Sequence, residues 1–261
     1  MLGNSAKFIR LDILKLAARV GSERKGAHIA PSLSMVDILT VLFNRIIRPD
    51  DFFVLSKGHG GLAYYAALKE VGIITEKQLD SFETDGGDFP GQPSKSLENG
   101  IAFSSGSLGM GLAYACGLAL AAKKRCNDSR IYVLLGDGEL NEGSNWESIM
   151  FAKQQNLSNL VAIIDNNGMQ SDGYSSEIIS VNLEKTFSAF GWQTHICNGH
   201  SLAALEKTFS IFGEDMPIVI LAKTIKGFGV SFMENNPAWH HNRLSDVQYK
   251  DALKEIDNNG V

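Results

Sequence analysis

Apolar residues recur at intervals of three and four over residues 5–20, 33–45, 59–70, 107–125 and 144–155. That spacing places one face of a helix against a core and predicts five helices. Between them lie short runs that are apolar throughout, at 52–55, 131–135, 160–164 and 218–222. Strands covered on both faces have this character, whereas strands with one wet face alternate. Strands alternating with helices predict an α/β fold whose sheet is mostly parallel, with helices on both faces. Two stretches, 84–106 and 226–245, are rich in Gly, Pro, Ser and Asp and read as long loops, which in a compact domain tend to be functional. No linker divides the chain, so residues 1–261 are expected to form one domain.

Composition changes this picture little. Apolar residues make up 44% of the chain and charged residues 20%, as in ordinary globular proteins. The net charge of −5 argues against a general nucleic-acid binder. No apolar run reaches the roughly 18 residues of a membrane span. The first twenty residues read as an amphipathic helix with Ser5 as a candidate N-cap, because charges interrupt the apolar positions that a signal peptide would need. Cys116, Cys126 and Cys197 are widely spaced, without a metal-ligand pattern, and are expected to be free thiols in a reducing cytoplasm.

In parallel sheets ligands bind beyond the carboxyl ends of the strands. The run 131–135 is followed by Gly136-Asp137-Gly138-Glu139. Glycines let a backbone approach an anion and present successive N–H groups, and an aspartate holds a hard cation through oxygen. Alone, this triplet also fits an ordinary Asp-Gly turn. The next run, 160–164, ends in Asp165-Asn166-Asn167-Gly168-Met169. Loops from successive strands can lie side by side, and together these offer carboxylate and amide oxygens to one cation such as Mg²⁺.

Gly-Asp-Gly, about 27 residues, then Asn-Asn at a strand end resembles the thiamine-diphosphate fingerprint. The longer string from Gly136 to Asn167 is similar to transketolases in particular. Four further segments resemble that family in the same order: Lys25–Ala30, Leu55–Gly60, Ser105–Gly111, and Lys226–Gly229 with Trp239-His240. The resemblance implies the thiamine-diphosphate-binding fold and transfer of a two-carbon ketol unit from a ketose phosphate to an aldose. It implies Asp137 and Asn167 as side-chain ligands to Mg²⁺ and Met169 as a backbone ligand. Gly138 and Glu139 would lie against the cofactor, and Gly106 and Leu108 would meet its aminopyrimidine. His28 would contact substrate, and His59 and His240 would stand near the diphosphate and the reacting carbons, where an imidazole can move protons near neutral pH. His195, His200 and His241 fall outside the matched positions and are read as structural or surface residues.

The match departs in two places. Many transketolases carry a histidine after Pro-Gly in the proline-rich loop, where this chain has Gln92; an amide can hydrogen-bond a hydroxyl but does not titrate near neutral pH. Sedoheptulose and xylulose phosphates stay as expected donors, with a modified ketose open beside them. The family's pyrimidine-binding domain also has no counterpart here, since only a helix-like tail follows residue 245. The resemblance therefore implies a split enzyme, in which a second subunit supplies that domain within a heterotetramer and Glu142 lies near the interface. Two rivals stand beside this reading. One is a thiamine enzyme of the 2-oxo-acid dehydrogenase or deoxyxylulose-phosphate synthase type; the other is a non-catalytic subunit that keeps the cofactor fold.

Overall fold

The computed structural model describes residues 2–211 and 215–260. Helix α1 (Leu2–Ser22) buries Ile9, Ile13, Leu16, Ala17 and Val20 along one stripe. It begins before Ser5, which is therefore inside the helix and caps nothing; Leu2 packs on the core and draws the helix outward. The single helix expected at 33–45 is instead α2 (Ala30–Leu33), α3 (Val36–Val41) and a π-turn at Leu42–Ile46. The break falls at Ser34 and Met35, where Ser34 turns its hydroxyl 2.5 Å from Asp165 Oδ2. The remaining elements are β1 (Phe52–Leu55), α4 (Gly61–Glu70), α5 (Glu76–Leu79), α6 (Met110–Lys124), β2 (Ile131–Gly136), α7 (Gly143–Gln154), β3 (Leu160–Asn166), α8 (Ser175–Ile178), α9 (Leu183–Ala189), β4 (Gln193–Asn198), α10 (Leu202–Phe209), β5 (Ile218–Lys223) and α11 (Asp246–Asn259).

All strand pairings are parallel, in the order β1-β2-β3-β5-β4. Side chains alternate between two cores. Phe53, Leu55, Leu134, Ile163 and Ile220 face α1, α3, α4, α10 and α11; Val54, Val133, Leu135, Ile164 and Leu221 face α6, α7 and α9. Burying each such side chain is worth roughly 1.5–3 kcal/mol. The chain steps outward from β1 to β3, passes to β4 at the edge, and returns to β5. With right-handed crossovers that reversal puts α9 and α10 on opposite faces. The loops after β3 and β5 consequently diverge at the carboxyl edge of the sheet, where a ligand crevice is expected. Edge strand β4 escaped the sequence pattern because Gln193, Thr194 and His195 are polar and only half-buried. Among the described residues no helix is long and apolar enough to cross a membrane.

Candidate active site

A cavity of about 210 Å³ opens at that edge. Asp137, Gly138 and Glu139 enter it from the end of β2, and Asn167 and Met169 from the loop after β3. His59, Leu108, Glu142 and His240 also line it.

Parallel pairing sets the two oxygen-bearing loops together. Gly136 is in register with Asp165, and the Asp137 N–H donates to the Asp165 carbonyl at 3.3 Å. Asp137 Oδ1 accepts from Gly138 N at 2.9 Å and its Oδ2 from Gly168 N at 2.7 Å. Asn167 Oδ1 accepts from Met169 N at 3.1 Å. A short antiparallel bridge joins Met169 to Tyr174; its bonds use the Gly168 carbonyl and the Gln170 N–H, on either side of Met169, so it does not engage the Met169 carbonyl. Burial, and then the negative charge of Asp165, push the Asp137 carboxyl up to about 6. A carboxylate so placed is short of positive charge.

Positive charge comes from two buried lysines that the sequence reading passed over. Lys57 reaches across from the end of β1 to pair with Asp165, and its Nζ also donates to Pro31 O at 3.0 Å. Lys226 Nζ donates to Gln170 O at 2.9 Å and lies 2.8 Å from His240 Nδ1. Burial, and then Lys57, bring the Lys226 ammonium down to about 8. A lysine inside a glycine- and aromatic-rich loop was the available signal. Both lysines line the cavity.

Four imidazoles gather at one side. His28 has its ring centroid 5.8 Å from His59 and 5.4 Å from His240, and His59 lies 5.2 Å from His240. Burial lowers all three: His28 to about 4 with help from His241 and the lysines, His240 to about 3 beside Lys226, and His59 well below its usual value. They are neutral near pH 7 and can both donate and accept hydrogen bonds. His241, read as structural or surface, is exposed but stands against His28 at 4.6 Å. The bridge between Ala27 and Asn242 fixes that register, and a methyl group at Gly26 would lie 2.6 Å from the His241 ring. His200 is partly buried in a network of its own, and His195 lies in β4.

The expected positions are not all equivalent. Glu139 is buried, and its carboxylate is engaged: Oε1 accepts from Ser56 Oγ at 2.5 Å and Gly109 N at 2.9 Å, and Oε2 from Gly136 N at 3.2 Å. It braces the turn carrying Leu108 against the ends of β1 and β2. Gly138 leaves space that the Gln170 side chain fills, since a methyl group there would lie 2.7 Å from Gln170 Cγ. Gln92 is exposed and lies over the 105–106 turn: a methyl group at Gly106, whose φ is +141°, would lie 2.8 Å from Gln92 Oε1. Glu142 is exposed at the cavity rim.

A divalent cation with a diphosphate suits this donor set. One carboxylate, one amide oxygen and one backbone carbonyl leave room for phosphate and water oxygens, as Mg²⁺ prefers. Among the described residues no group of three His, Cys, Asp or Glu side chains forms a rival metal site. Gln170 Nε2, buried at the cavity without a protein partner, and the Lys226 ammonium are donors suited to an anion.

Comparison with known proteins agrees with this geometry. Residues 5–257 match the family described as transketolase, thiamine diphosphate binding domain. An apulose-4-phosphate transketolase subunit of Actinobacillus succinogenes is 40% identical, over 98% of this chain and 95% of that protein. The 6-deoxy-6-sulfo-D-fructose transketolase subunit of a Clostridium species is 36% identical, over 100% of this chain and 98% of its own length. The solved transketolase of Leishmania mexicana superposes with a TM-score of 0.87 at 25% identity, over 98% of this chain but 41% of that one. The chain thus corresponds in length to transketolase subunits and to under half of a solved full-length enzyme, and it belongs to the transketolase family of transferases as its N-terminal, thiamine diphosphate binding domain.

Proposed function

We propose that this chain is the diphosphate-binding subunit of a cytoplasmic split transketolase, acting with a second chain that carries the pyrimidine-binding domain, most simply as two copies of each. The observation that carries this reading is one cavity with an oxygen-donor set at one side, Asp137, Asn167 and Met169, and neutral imidazoles at another, His59 and His240. In this reading Asp137, Asn167 and the Met169 carbonyl hold Mg²⁺, while Lys226 and Gln170 donate to the diphosphate. When bound, thiamine diphosphate supplies the carbanion chemistry that lets a ketose lose two carbons to an aldose. The chain's own residues bind and orient. His28, His59 and His240, neutral near pH 7, hold substrate hydroxyls and carbonyls and pass protons at those oxygens. Glu139 braces the Gly106–Gly109 turn against which the pyrimidine would rest, and Glu142 at the rim faces the partner.

Three free cysteines suit a reducing compartment. Relatives are named for apulose-4-phosphate and 6-deoxy-6-sulfo-D-fructose. With Gln92 where many transketolases carry histidine, that supports a modified ketose as donor here. The test is two-carbon transfer by the purified chain, saturated with thiamine diphosphate and Mg²⁺, with and without a chain bearing the pyrimidine-binding domain. Turnover is expected only in the mixture, because one wall of the pyrimidine site would otherwise be water and orientation can be worth several kcal/mol of barrier. Full turnover by the lone chain would defeat the split-enzyme reading. Pyruvate decarboxylation in place of ketose cleavage would favour the 2-oxo-acid class.

A further inference from the structure

Behind the cavity lies a second cluster that the reaction does not use directly. His200 sits between β4 and α10, Asp37 on α3 and Arg10 on α1. The His200 Nε2 accepts the Ile225 N–H at 2.8 Å. That bond places the ring proton on Nδ1, which donates to Asp37 Oδ2 at 2.9 Å. The same oxygen accepts from Arg10 Nη2 at 2.6 Å. Arg10 is 1% exposed and Asp37 4%.

The cluster also grips Phe228. The imidazole stacks on its ring at 3.6 Å between centroids and 16° between planes, and the Arg10 guanidinium lies 5.3 Å from the same ring's centroid. Ile225 and Phe228 flank Lys226, whose Nζ enters the cavity. The intervening turn is rigid too. Gly227 has φ +83°, donates its N–H to Ala30 O at 3.0 Å, and has no room for a side chain, since a methyl group would collide with the Met233 carbonyl oxygen.

Lysine has a long, flexible stem, and fixing it costs rotamer entropy. Holding the backbone on both sides of Lys226 restricts where that stem starts and which way it points. His200 supplies one grip by hydrogen bond and the other by stacking, and Asp37 with Arg10 fixes the imidazole's tautomer and plane. We propose that Arg10, Asp37 and His200 form a clamp on the 225–228 strap that positions Lys226 for the cofactor's diphosphate. His200 is then a positioning residue that touches neither substrate nor cofactor. The inference rests on the thiamine-diphosphate reading given above.

Two measurements on the full chain test it. The first needs no cofactor: hydrogen exchange at the Ile225 amide. His200→Phe keeps an aromatic ring against Phe228 but removes both hydrogen bonds, and exchange there is expected to quicken about tenfold or more. The second is the dissociation constant for thiamine diphosphate with Mg²⁺, by calorimetry on the chain combined with a chain bearing the pyrimidine-binding domain. His200→Phe and Lys226→Met are each expected to weaken binding roughly ten- to a hundredfold. His200→Gln, whose amide can accept from Ile225 and donate to Asp37, should recover most of the loss. On the Lys226→Met background, His200→Phe should cost less than about threefold more, because both changes remove one interaction. If His200→Phe does not fold, Phe228→Leu, which keeps the three hydrogen bonds and removes the stacked ring, goes through the same cycle. Unchanged exchange at Ile225, or losses that multiply in the double variant, would overturn the clamp. A wild-type chain that, combined with a chain bearing the pyrimidine-binding domain, does not bind the cofactor counts against the thiamine-diphosphate reading instead, and the exchange result still judges whether the grip on the strap exists.

Discussion

Asp137 and Asp165 stand at the ends of neighbouring strands, joined by a backbone hydrogen bond, yet their surroundings differ. Asp165 is completely buried and fully supplied: Lys57 pairs with it, and Ser34 and Thr224 donate hydroxyls to it. Burial alone would raise its carboxyl, but Lys57 and the two hydroxyls hold it below the usual carboxylate range. Among the described residues Asp137 accepts from the N–H groups of Gly138 and Gly168 and the Ser175 hydroxyl at 3.5 Å, and burial together with Asp165 drives it upward against these and the charge of Lys57. One aspartate carries its cation as part of the fold. In the function proposed above, the other is left for a cation that comes from solution. Both lie at strand ends that the sequence motif marks, and the supply of positive charge is what tells the structural acid from the proposed ligand.

The sharpest way to break this contrast is to neutralise each acid in turn. Asp165→Asn strands the Lys57 ammonium in the interior, and breaking a buried pair from one side costs about 3–5 kcal/mol. Asp137→Asn, in the absence of metal, removes a poorly compensated charge and is expected to leave stability unchanged or raised at neutral pH. Denaturant unfolding of the metal-free variants checks both. Equal losses would show that the two sites do not differ as described.

Cofactor binding gives the next largest effect, with the roles reversed. Asp137→Ala is expected to lower Mg²⁺-dependent affinity for thiamine diphosphate roughly a hundredfold or more while the far-ultraviolet circular dichroism stays the same. Unchanged affinity with Mg²⁺ present would remove Asp137 from the metal site.

The strand-end acids and the histidine cluster were not equally legible. The motifs around Asp137, Asn167 and Met169 point to the proposed cation site because their spacing survives in the linear chain, and strands β1, β2, β3 and β5 read directly because both faces are buried. Lys57 finds Asp165 across 108 positions, and Thr224 finds it across 59; separations of that size are set by sheet order, which no local pattern reveals. His241 escaped for the same reason, since only the bridge between Ala27 and Asn242 brings it to His28. His200 lies outside the matched motifs and reads as structural or surface; that it is structural, paired with Asp37 from α3 beneath Arg10 of α1, is again set by long-range packing.

A third, smaller effect concerns pH. The folded-state values of His28, His59 and His240 lie below that of an unfolded histidine near 6.5. Folding therefore favours their neutral forms. The stability this confers is complete above about pH 6.5 and is lost as pH falls toward 4, through the His28 value, and on toward 3. With a discount for the partial exposure of His28 and His240, the chain is expected to lose about 1–2 kcal/mol between pH 7 and 5.5. His59→Asn should flatten part of that slope in denaturant titrations at several pH values. A slope identical to that of the wild type would mean that His59 is not held neutral by the fold.

The smallest expected effect falls at the rim, where the chain departs from many transketolases. Gln92 is exposed, and its Oε1 lies over Gly106 and Gly58, next to the turn that would meet the pyrimidine. Gln92 does not line the cavity that Asp137, Asn167 and Met169 enter, so a change at position 92 should leave them undisturbed. A glutamine presents a fixed amide donor and acceptor, whereas a histidine presents a ring that can also take up a proton. Gln92→His is therefore expected to alter the ratio of kcat/KM between ketose donors by about three- to tenfold, the scale of one altered polar contact, and to change thiamine diphosphate affinity by less than about twofold. The ratio is the right quantity, because a uniform change in activity would cancel from it while a change in donor recognition would not. The assay compares several ketose phosphates, including branched and sulfonated analogues, in the reconstituted enzyme. Equal ratios for wild type and variant would place Gln92 outside the substrate site and return the choice of donor to the four imidazoles and the partner subunit.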